Sequence, residues 1–151
     1  LAVACGYPGM VAGQAVDLDY ESKPGSEEVL EYIHLHKTAA LIRAALLMGA
    51  HMASAPAEDM ERLAAAGTKL GLIFQVIDDI LDVIGNAAEM GKDAGGDAAR
   101  GKLTYPSLIG LEESQKRVQS LQDSILAILN PEEDRSRVLI DLTRELISRR
   151  A

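Results

Sequence analysis

The stretch Phe74-Gln75-Val76-Ile77-Asp78-Asp79-Ile80-Leu81-Asp82 decides how this chain folds, because it sets three carboxylates into an otherwise apolar run. Residues three and four positions apart share one face of a helix. The run therefore predicts a narrow stripe of polar or small side chains, made of Thr68, Gly71, Gln75, Asp78 and Asp82. Asp79 lies beside that stripe. The remaining circumference is Leu, Ile and Val, which predicts a buried helix.

Carboxylates on a buried helix need compensation. Desolvating an ionised carboxylate costs several kcal/mol unless it is paired or holds a metal, so we expect the stripe to face cations or a wet cavity. Asp78 and Asp82 project from the same side of the helix, one turn apart, which suits one shared Mg2+ ion. A charged helix end is the alternative, because Gly85-Asn86 is predicted to end the helix near Asp82. An EF-hand loop is excluded, since Val83 stands where that loop requires glycine.

Length and composition favour one helical domain. The chain has 151 residues, of which 48% are hydrophobic, with one Phe and no Trp, and this is typical of tightly packed helices. A net charge of −8 argues against a nucleic-acid surface. Cys5 is the single cysteine and permits no disulfide within the chain, which fits a reducing cytoplasm. No membrane span or targeting segment is found, so we expect a soluble cytoplasmic protein.

Turn and capping residues divide the chain into helices. A helix is predicted over residues 10–19, and Ser26 is predicted to cap a long helix that runs to about Met52. The next helix is predicted from residue 56 or 57 to Gly85, and the short connection before it predicts antiparallel packing of the two. Further helices are predicted over residues 104–111, 112–129 and 132–149. Because no strand-like alternation is found, the predicted fold class is all-α.

Lys37 projects from an apolar face of the long helix, so it either snorkels to solvent or is aimed at an anion. Antiparallel packing would let Lys37 and Thr38 meet Gln75 and Asp78 across the bundle core. Two histidines, at positions 34 and 36, do not share a helix face, so a zinc pair is not expected and both are interpreted as structural.

The short helix over residues 10–19 carries Gln14 and Asp17 three positions apart. On spacing alone, an ordinary polar face ending a short helix explains this pair better than a functional site does. Gly13 lies inside the same helix, where glycine costs up to about 1 kcal/mol, so it needs a packing reason.

The segment from Gly91 to Lys102 is the most irregular part of the sequence. It has four glycines in its first eleven residues, which predicts a mobile loop. Lys92 and Lys102 each follow a glycine, an arrangement that suits a loop closing over a phosphate, with a solvated linker as the alternative. The P-loop pattern is absent, because no strand precedes the segment and the required upstream glycine is missing.

Five segments occur in the same order as in the short-chain trans-isoprenyl diphosphate synthases, and they most resemble the bacterial farnesyl diphosphate synthases. They are Gly13-Gln14-Ala15-Val16-Asp17, His34-Leu35-His36-Lys37-Thr38, the run from Gly71 to Asp82, Gly91-Lys92, and Gly101-Lys102-Leu103-Thr104-Tyr105-Pro106. The resemblance extends over residues 1–151, which it identifies as the C-terminal part of a single polyprenyl synthetase domain.

The resemblance implies the all-α isoprenoid synthase bundle, of which this chain would be the C-terminal half. In that family, Mg2+ ions hold an allylic diphosphate between two Asp-rich motifs. Asp78, Asp79 and Asp82 match the second motif, with Asp78 as the expected direct ligand. The implied substrates are isopentenyl diphosphate and an allylic diphosphate, dimethylallyl or geranyl, and the implied assembly is a homodimer.

The resemblance also assigns roles to polar residues outside the Asp-rich run. The diphosphate-binding lysines would be Lys37, Lys92 and Lys102. Thr38 and Gln75 match the groups whose oxygens face the allylic cation. Gln14 and Asp17 match a helix pair that supports the metal site.

One departure from the family pattern limits what residues 1–151 can do. The first Asp-rich motif and the basic residues that bind isopentenyl diphosphate are not among them, and Asp17-Leu18-Asp19 is too small a cluster to replace the motif. We therefore predict that the parent protein is a prenyltransferase making farnesyl diphosphate, and that residues 1–151 alone are inactive.

Other functions remain open at this point. Geranylgeranyl diphosphate synthase is the first alternative. A non-catalytic subunit of a heteromeric prenyltransferase is the second, although such subunits are expected to lose Asp-rich residues that this chain keeps. A terpene cyclase shares the metal chemistry, but the Asn/Ser/Glu pattern expected of one is not found. A purely structural bundle leaves the buried acidic stripe unexplained.

Overall fold

The computed structural model describes residues 1–89 and 101–149, and for residues 86–89 it describes the backbone only. Over these ranges the chain is helical and contains no strand, which confirms the predicted all-α class. None of the described helices combines the length and the apolar character needed to cross a bilayer. The α-helices are α1 (Ala2–Cys5), α2 (Met10–Asp19), α3 (Glu27–His34), α4 (Ala40–Met52), α5 (Ala57–Glu89), α6 (Tyr105–Ile109), α7 (Leu111–Leu129) and α8 (Arg137–Ser148).

The long helix predicted between Ser26 and Met52 is confirmed at both ends but is not a uniform α-helix. Ser26 caps it by accepting a hydrogen bond from the Val29 N–H at 3.4 Å, and α4 ends at Met52. Between α3 and α4, residues Leu35–Ala39 form a π-helical turn. Such turns close i→i+5 hydrogen bonds, carry one extra residue and occur often at functional sites. We refer to Leu35–Ala39 as the π turn.

Helix α5 is the central helix of the fold and has 33 residues. The predicted end at Gly85 is wrong, because the helix continues through Gly85 and Asn86 to Glu89. One glycine inside a helix costs only about 1 kcal/mol, which the flanking helical turns offset. Asp82 consequently lies within the helix, and the explanation of Asp82 as a charged helix end is excluded.

Helices α4 and α5 pack antiparallel, as predicted. A Cβ built on Gly67 would lie 2.8 Å from Arg43 Cα, and one built on Gly71 would lie 2.3 Å from Ala39 Cα. One turn forward along α5 therefore corresponds to one turn backward along the facing helix. These two glycines allow the backbones to approach closely, since neither site has room for a side chain.

The hydrophobic core lies around α5, which packs between α4 and α7. Helix α6 is shorter than predicted because the chain leaves it at Gly110 with φ of 85°. The last predicted helix, 132–149, is also shorter: Asp134–Ser136 form a 3₁₀ turn before α8 begins. The Ser136 hydroxyl donates a hydrogen bond to the Leu129 carbonyl, which holds that turn against the end of α7.

Candidate functional site

Helix α2 meets the π turn through a backbone contact and an ion pair. A Cβ on Gly13 would lie 2.2 Å from Lys37 N, so glycine is required for this approach, and the expected packing reason is found. One turn along α2, Asp17 Oδ2 accepts a hydrogen bond from Lys37 Nζ at 2.5 Å. Asp17 is 8% exposed. The interpretation of Asp17 as part of an ordinary polar face is therefore wrong. The ion pair fixes where the Lys37 ammonium lies.

The polar stripe of α5 runs along the π turn and continues beyond it. Gly71 contacts Ala39 of the π turn, and Gln75 follows one turn later on the same face of α5. Continuing in that direction, Asp78 is exposed and Asp82 is half-buried. The antiparallel register thus brings the π turn, which contains Lys37 and Thr38, beside α5. The predicted meeting of these two residues with Gln75 and Asp78 stays a prediction.

The acidic residues of α5 differ in what they offer a metal ion. Within residues 1–89 and 101–149, no group of three His, Cys, Asp or Glu side chains is arranged to hold a metal. The predicted Mg2+ set of Asp78, Asp79 and Asp82 thus stays a prediction. Asp78 and Asp82 nevertheless fit Mg2+ by their chemistry, because two hard oxygen donors one turn apart suit a cation that takes its other ligands from water and phosphate.

Asp79 faces the protein interior. It is 3% exposed, and its Oδ2 accepts a hydrogen bond from the Tyr105 N–H, the first residue of α6, at 3.0 Å. The same oxygen lies 3.8 Å from His34 Nε2. The His34 and Tyr105 rings pack at a tilt, with centroids 5.5 Å apart. Asp79 therefore joins three elements: α3, α5 and α6.

His34 is held neutral by its surroundings. It is 3% exposed, and burial lowers its pKa to about 4, assisted by the positive charges of Lys102 and Lys37 and opposed by Asp17. Its Nδ1 has no hydrogen-bond partner in the described part of the chain. The structural interpretation of His34 is consistent with this burial.

His36 lies at the surface side of the π turn. Its ring stacks on Tyr32 with a centroid separation of 3.9 Å, and its Nδ1 lies 2.8 Å from the Tyr32 carbonyl oxygen. Both contacts are local, and they agree with the structural interpretation of His36.

Of the two loop lysines predicted to bind diphosphate, only Lys102 can be placed. Lys92, like most of the predicted mobile segment, lies outside the described residues. Lys102 is half-buried and directly precedes Leu103, which is 9% exposed and belongs to the core. The chain from Leu103 into α6 is thus anchored, and Lys102 is the first residue before that anchor.

Sequence reasoning missed two features of this site. The π turn changes the helical register by one residue and has no compositional signal in Leu35–Ala39. The bond from Asp79 to Tyr105 had a signal, because Asp79 lies off the polar stripe and among apolar positions, where a carboxylate is expected to find a buried partner.

Comparison with known proteins gives one family. Residues 4–142 match the model of the family described as polyprenyl synthetase. The geranylgeranyl pyrophosphate synthase 11, chloroplastic, of Arabidopsis thaliana is 43% identical over 153 aligned residues, which cover 99% of this chain and 43% of that protein. This chain therefore spans less than half the length of that relative.

Solved structures give the same result for the fold. A geranyltransferase from Helicobacter pylori, complexed with magnesium and isoprenyl diphosphate, matches with a TM-score of 0.75 and 36% identity, over 96% of this chain and 48% of that chain. An FPP/GFPP synthase from Zymomonas mobilis matches with a TM-score of 0.79 and 30% identity, over 97% of this chain and 48% of that chain. The isoprenoid synthase helical fold implied by the sequence is confirmed.

Proposed function

The chain belongs to the polyprenyl synthetase family, and from that premise we propose that the complete protein carrying it is a prenyltransferase that joins an allylic diphosphate to isopentenyl diphosphate. One observation carries the proposal: Lys37, held by the buried Asp17, lies on a π turn beside the stripe of α5 that ends in Asp78 and Asp82. A fixed ammonium and two carboxylates along one apolar helix pair are suited to a magnesium diphosphate.

The cationic residues act on the leaving group. Ionisation of an allylic diphosphate develops negative charge on the departing diphosphate, so Lys37 and Lys102 stabilise the transition state more than the ground state. Mg2+, when bound, neutralises further charge on the same oxygens. We propose Asp78 as a direct ligand of this ion and Asp82 as its partner one turn away. Asp79 belongs to the same motif of the sequence, but its carboxylate is buried against the start of α6.

The allylic cation that remains needs a different environment. It requires an apolar cavity with a few oxygen dipoles and no strong nucleophile. Thr38 on the π turn and Gln75 on α5 supply such oxygens in our proposal, and the neighbouring side chains of α5 are aliphatic. The new carbon–carbon bond then forms to isopentenyl diphosphate, and transfer of a proton from the product cation to the departed diphosphate completes the reaction.

The length of the product is open between two choices. The motifs of the sequence resemble farnesyl diphosphate synthases, whereas the Arabidopsis relative is named for geranylgeranyl diphosphate. We propose farnesyl diphosphate, with geranylgeranyl diphosphate as the alternative. We further propose, on the resemblance alone, that the protein is a cytoplasmic homodimer. In this proposal the first Asp-rich motif lies outside residues 1–151, so these residues alone do not convert substrate.

The test is incorporation of isopentenyl diphosphate into dimethylallyl, geranyl and farnesyl primers by the complete protein, with and without Mg2+. Asp78→Asn is expected to reduce turnover by about a hundredfold or more, since it removes a charge that acts in the transition state. Asp123→Asn is the matched control, because Asp123 is an exposed aspartate of α7. Product chain length separates farnesyl from geranylgeranyl synthesis. Equal activity of the two variants, or turnover independent of Mg2+, would contradict the proposal.

A non-catalytic subunit of a heteromeric prenyltransferase is the second candidate. The retention of Asp78, Asp79 and Asp82 argues against it. Turnover by the protein in the absence of any other subunit would exclude it.

A further inference from the structure

The three aspartates of α5 are not equivalent in their surroundings. Asp78 is exposed and Asp82 is half-buried, whereas Asp79 is 3% exposed. Asp78 and Asp82 share one face of the helix, and Asp79 lies on the neighbouring face, which packs against α3 and the start of α6. The acidic motif of α5 therefore contains two kinds of aspartate: Asp78 and Asp82, which reach solvent, and Asp79, which is buried.

The buried carboxylate has a specific partner in the backbone. Asp79 Oδ2 accepts the Tyr105 N–H at 3.0 Å across 26 positions of sequence. The other polar groups at the start of α6 are satisfied locally, since Thr104 and Ser107 bond each other's backbone N–H groups. Asp79 thus supplies a hydrogen bond that ties this start to α5.

The tied segment begins with a predicted diphosphate ligand. Lys102 precedes Tyr105 by three residues. Leu103, which follows Lys102, is 9% exposed, and Tyr105 is 0% exposed. A backbone fixed at Tyr105 and packed at Leu103 leaves Lys102 little freedom of position. The positive charge of Lys102 is also close enough to His34 to lower the pKa of that imidazole.

We propose that Asp79 is a positioning residue, which holds the segment from Lys102 to Tyr105 against the acidic turn of α5 through its hydrogen bond to the Tyr105 N–H. This inference rests on the proposed function for the role of Lys102, but not for the hydrogen bond itself. It divides the motif into Asp78 and Asp82, which serve the cation, and Asp79, which serves the lysine.

The energetics favour this division. If Asp79 Oδ2 turned to a metal ion, the buried Tyr105 N–H would lose its acceptor, and a buried unsatisfied donor is costly. A carboxylate accepting a backbone N–H is also a charge-assisted bond, roughly twice as strong as a neutral one. Asp78 carries no such cost, because it is exposed.

The test uses the complete protein and two readouts. The first is amide hydrogen exchange at Tyr105, and the second is the affinity for inorganic pyrophosphate measured over a series of Mg2+ concentrations. The variants are Asp79→Ala, which removes the acceptor, and Asp79→Asn, whose amide oxygen can replace it. Asp78→Asn is the comparison variant.

For Asp79→Ala we expect Tyr105 exchange to accelerate and pyrophosphate affinity to fall, each by about tenfold, as for loss of one bond to a charged group. The Mg2+ midpoint should stay within about twofold of wild type, because the ligand pair is intact. Asp79→Asn should restore the Tyr105 protection. Asp78→Asn should instead shift the Mg2+ midpoint and leave Tyr105 exchange unchanged.

Two results would overturn the proposal. One is a shift of the Mg2+ midpoint in Asp79→Ala as large as that in Asp78→Asn, and the other is unchanged exchange at Tyr105. If Asp79→Ala does not fold, Asp79→Asn against Asp78→Asn decides the same question through the Mg2+ midpoint. Failure of the wild-type protein to bind pyrophosphate would contradict the proposed function instead, and Tyr105 exchange would still test the hydrogen bond.

Discussion

Both ends of α5 carry charged side chains, but these charges are compensated in different ways. Near its start, Asp59 and Arg62 meet Glu133 and Arg135 from the connection between α7 and α8, and we call these four residues the ionic corner. Arg135 Nη1 lies 2.7 Å from Asp59 Oδ2, and Arg62 Nη1 lies 3.4 Å from Glu133 Oε2. Two acids and two arginines balance one another.

At the other end of α5, the described site residues include more acids than bases. The predicted site residues within the described chain include four aspartates but only two lysines: Asp17, Asp78, Asp79, Asp82, Lys37 and Lys102. Asp17 and Asp79 are also more deeply buried than the corner residues. The ionic corner thus pairs equal numbers of acids and bases, and at the site end the proposed Mg2+ ion would add positive charge beside the described aspartates. The ionic corner is therefore a structural charge cluster, whereas the site end is our proposed binding site.

The largest effect is expected from the backbone contact at the site end. Gly71→Ala would place a Cβ 2.3 Å from Ala39 Cα, and backbone cannot move aside as a flexible side chain does. We expect the free energy of unfolding to fall by about 3 kcal/mol, with a loss of turnover because the π turn shifts. Urea unfolding followed by circular dichroism measures the first.

Gly49→Ala is the matched control, since a Cβ there meets nothing within 4 Å and the site lies inside α4. It should stabilise the protein by up to about 1 kcal/mol. Gly67→Ala meets Arg43 in regular helix, so it should destabilise without the same loss of turnover. If all three variants behaved alike, the close approach at the π turn would have no special role.

The next largest effect is a pH dependence of stability, which differs between the site end and the ionic corner. His34 has a folded-state pKa of about 4, below its ordinary value of 6.5, so folding disfavours its charged form. Above pH 6.5 His34 is neutral in both the folded and the unfolded chain. As the pH falls from 6.5 towards 4, the unfolded chain binds a proton that the folded chain does not, so the free energy of unfolding decreases. In metal-free protein we expect a loss on the order of 2–3 kcal/mol relative to His34→Gln.

The ionic corner should respond in a lower pH window. The hydrogen bond from Arg135 is the largest cause that lowers the pKa of Glu133 below its ordinary 4.5. The contribution of ionised Glu133 to stability is therefore present above pH 4.5 and is lost only below it. Unfolding curves of wild type, His34→Gln and Glu133→Gln at pH 7, 5 and 3.5 distinguish the two windows. A wild-type curve parallel to that of His34→Gln between pH 7 and 5 would refute the assignment.

A smaller effect is expected from the ion pair of Lys37 and Asp17. Because the side chain of Lys37 is 29% exposed and that of Asp17 is 10% exposed, we discount the full penalty for breaking a buried pair and expect about 2 kcal/mol for Lys37→Met. Asp17→Asn together with Lys37→Met completes a double-mutant cycle, whose coupling energy should be about 1–2 kcal/mol. A coupling energy near zero would mean that the pair does not stabilise the fold.

The smallest effects are expected at the ionic corner. Arg62 also donates a hydrogen bond from Nε to the Ile128 carbonyl at 3.0 Å, so Arg62→Gln should cost about 1 kcal/mol. Arg135→Gln removes an exposed partner and should cost less than Arg62→Gln. Neither should alter turnover, which a steady-state assay checks. A loss of activity in either variant would break the distinction between the two ends of α5.

Much of this arrangement could be read from local sequence signals. The cap at Ser26, the ends at Asp19 and Met52, and the stripe through Asp78 and Asp82 follow from capping chemistry and helical spacing, which depend on neighbouring residues alone. The predicted end at Gly85 failed because a glycine only weakens a helix, and the flanking helical turns offset that cost.

The remaining features depend on contacts between distant segments. The burial of Asp17 follows from the approach of α2 to the π turn, and the role of Asp79 follows from the position of Tyr105, 26 residues away. No spacing rule within a helix reports such contacts. The candidate site could be predicted from resemblance to a family, but the different surroundings of its aspartates became visible only in the structure.

The π turn also has a consequence for how this segment can change in evolution. A π turn amounts to one residue inserted into an α-helix, and each residue of an α-helix turns the chain by about 100°. Deleting a single residue within Leu35–Ala39 would restore a regular helix and rotate α3 against α4 by that angle. Either Ile33 and Leu30 would leave the core or α4 would lose its contact with α5. We therefore expect related sequences to keep the length of this segment constant.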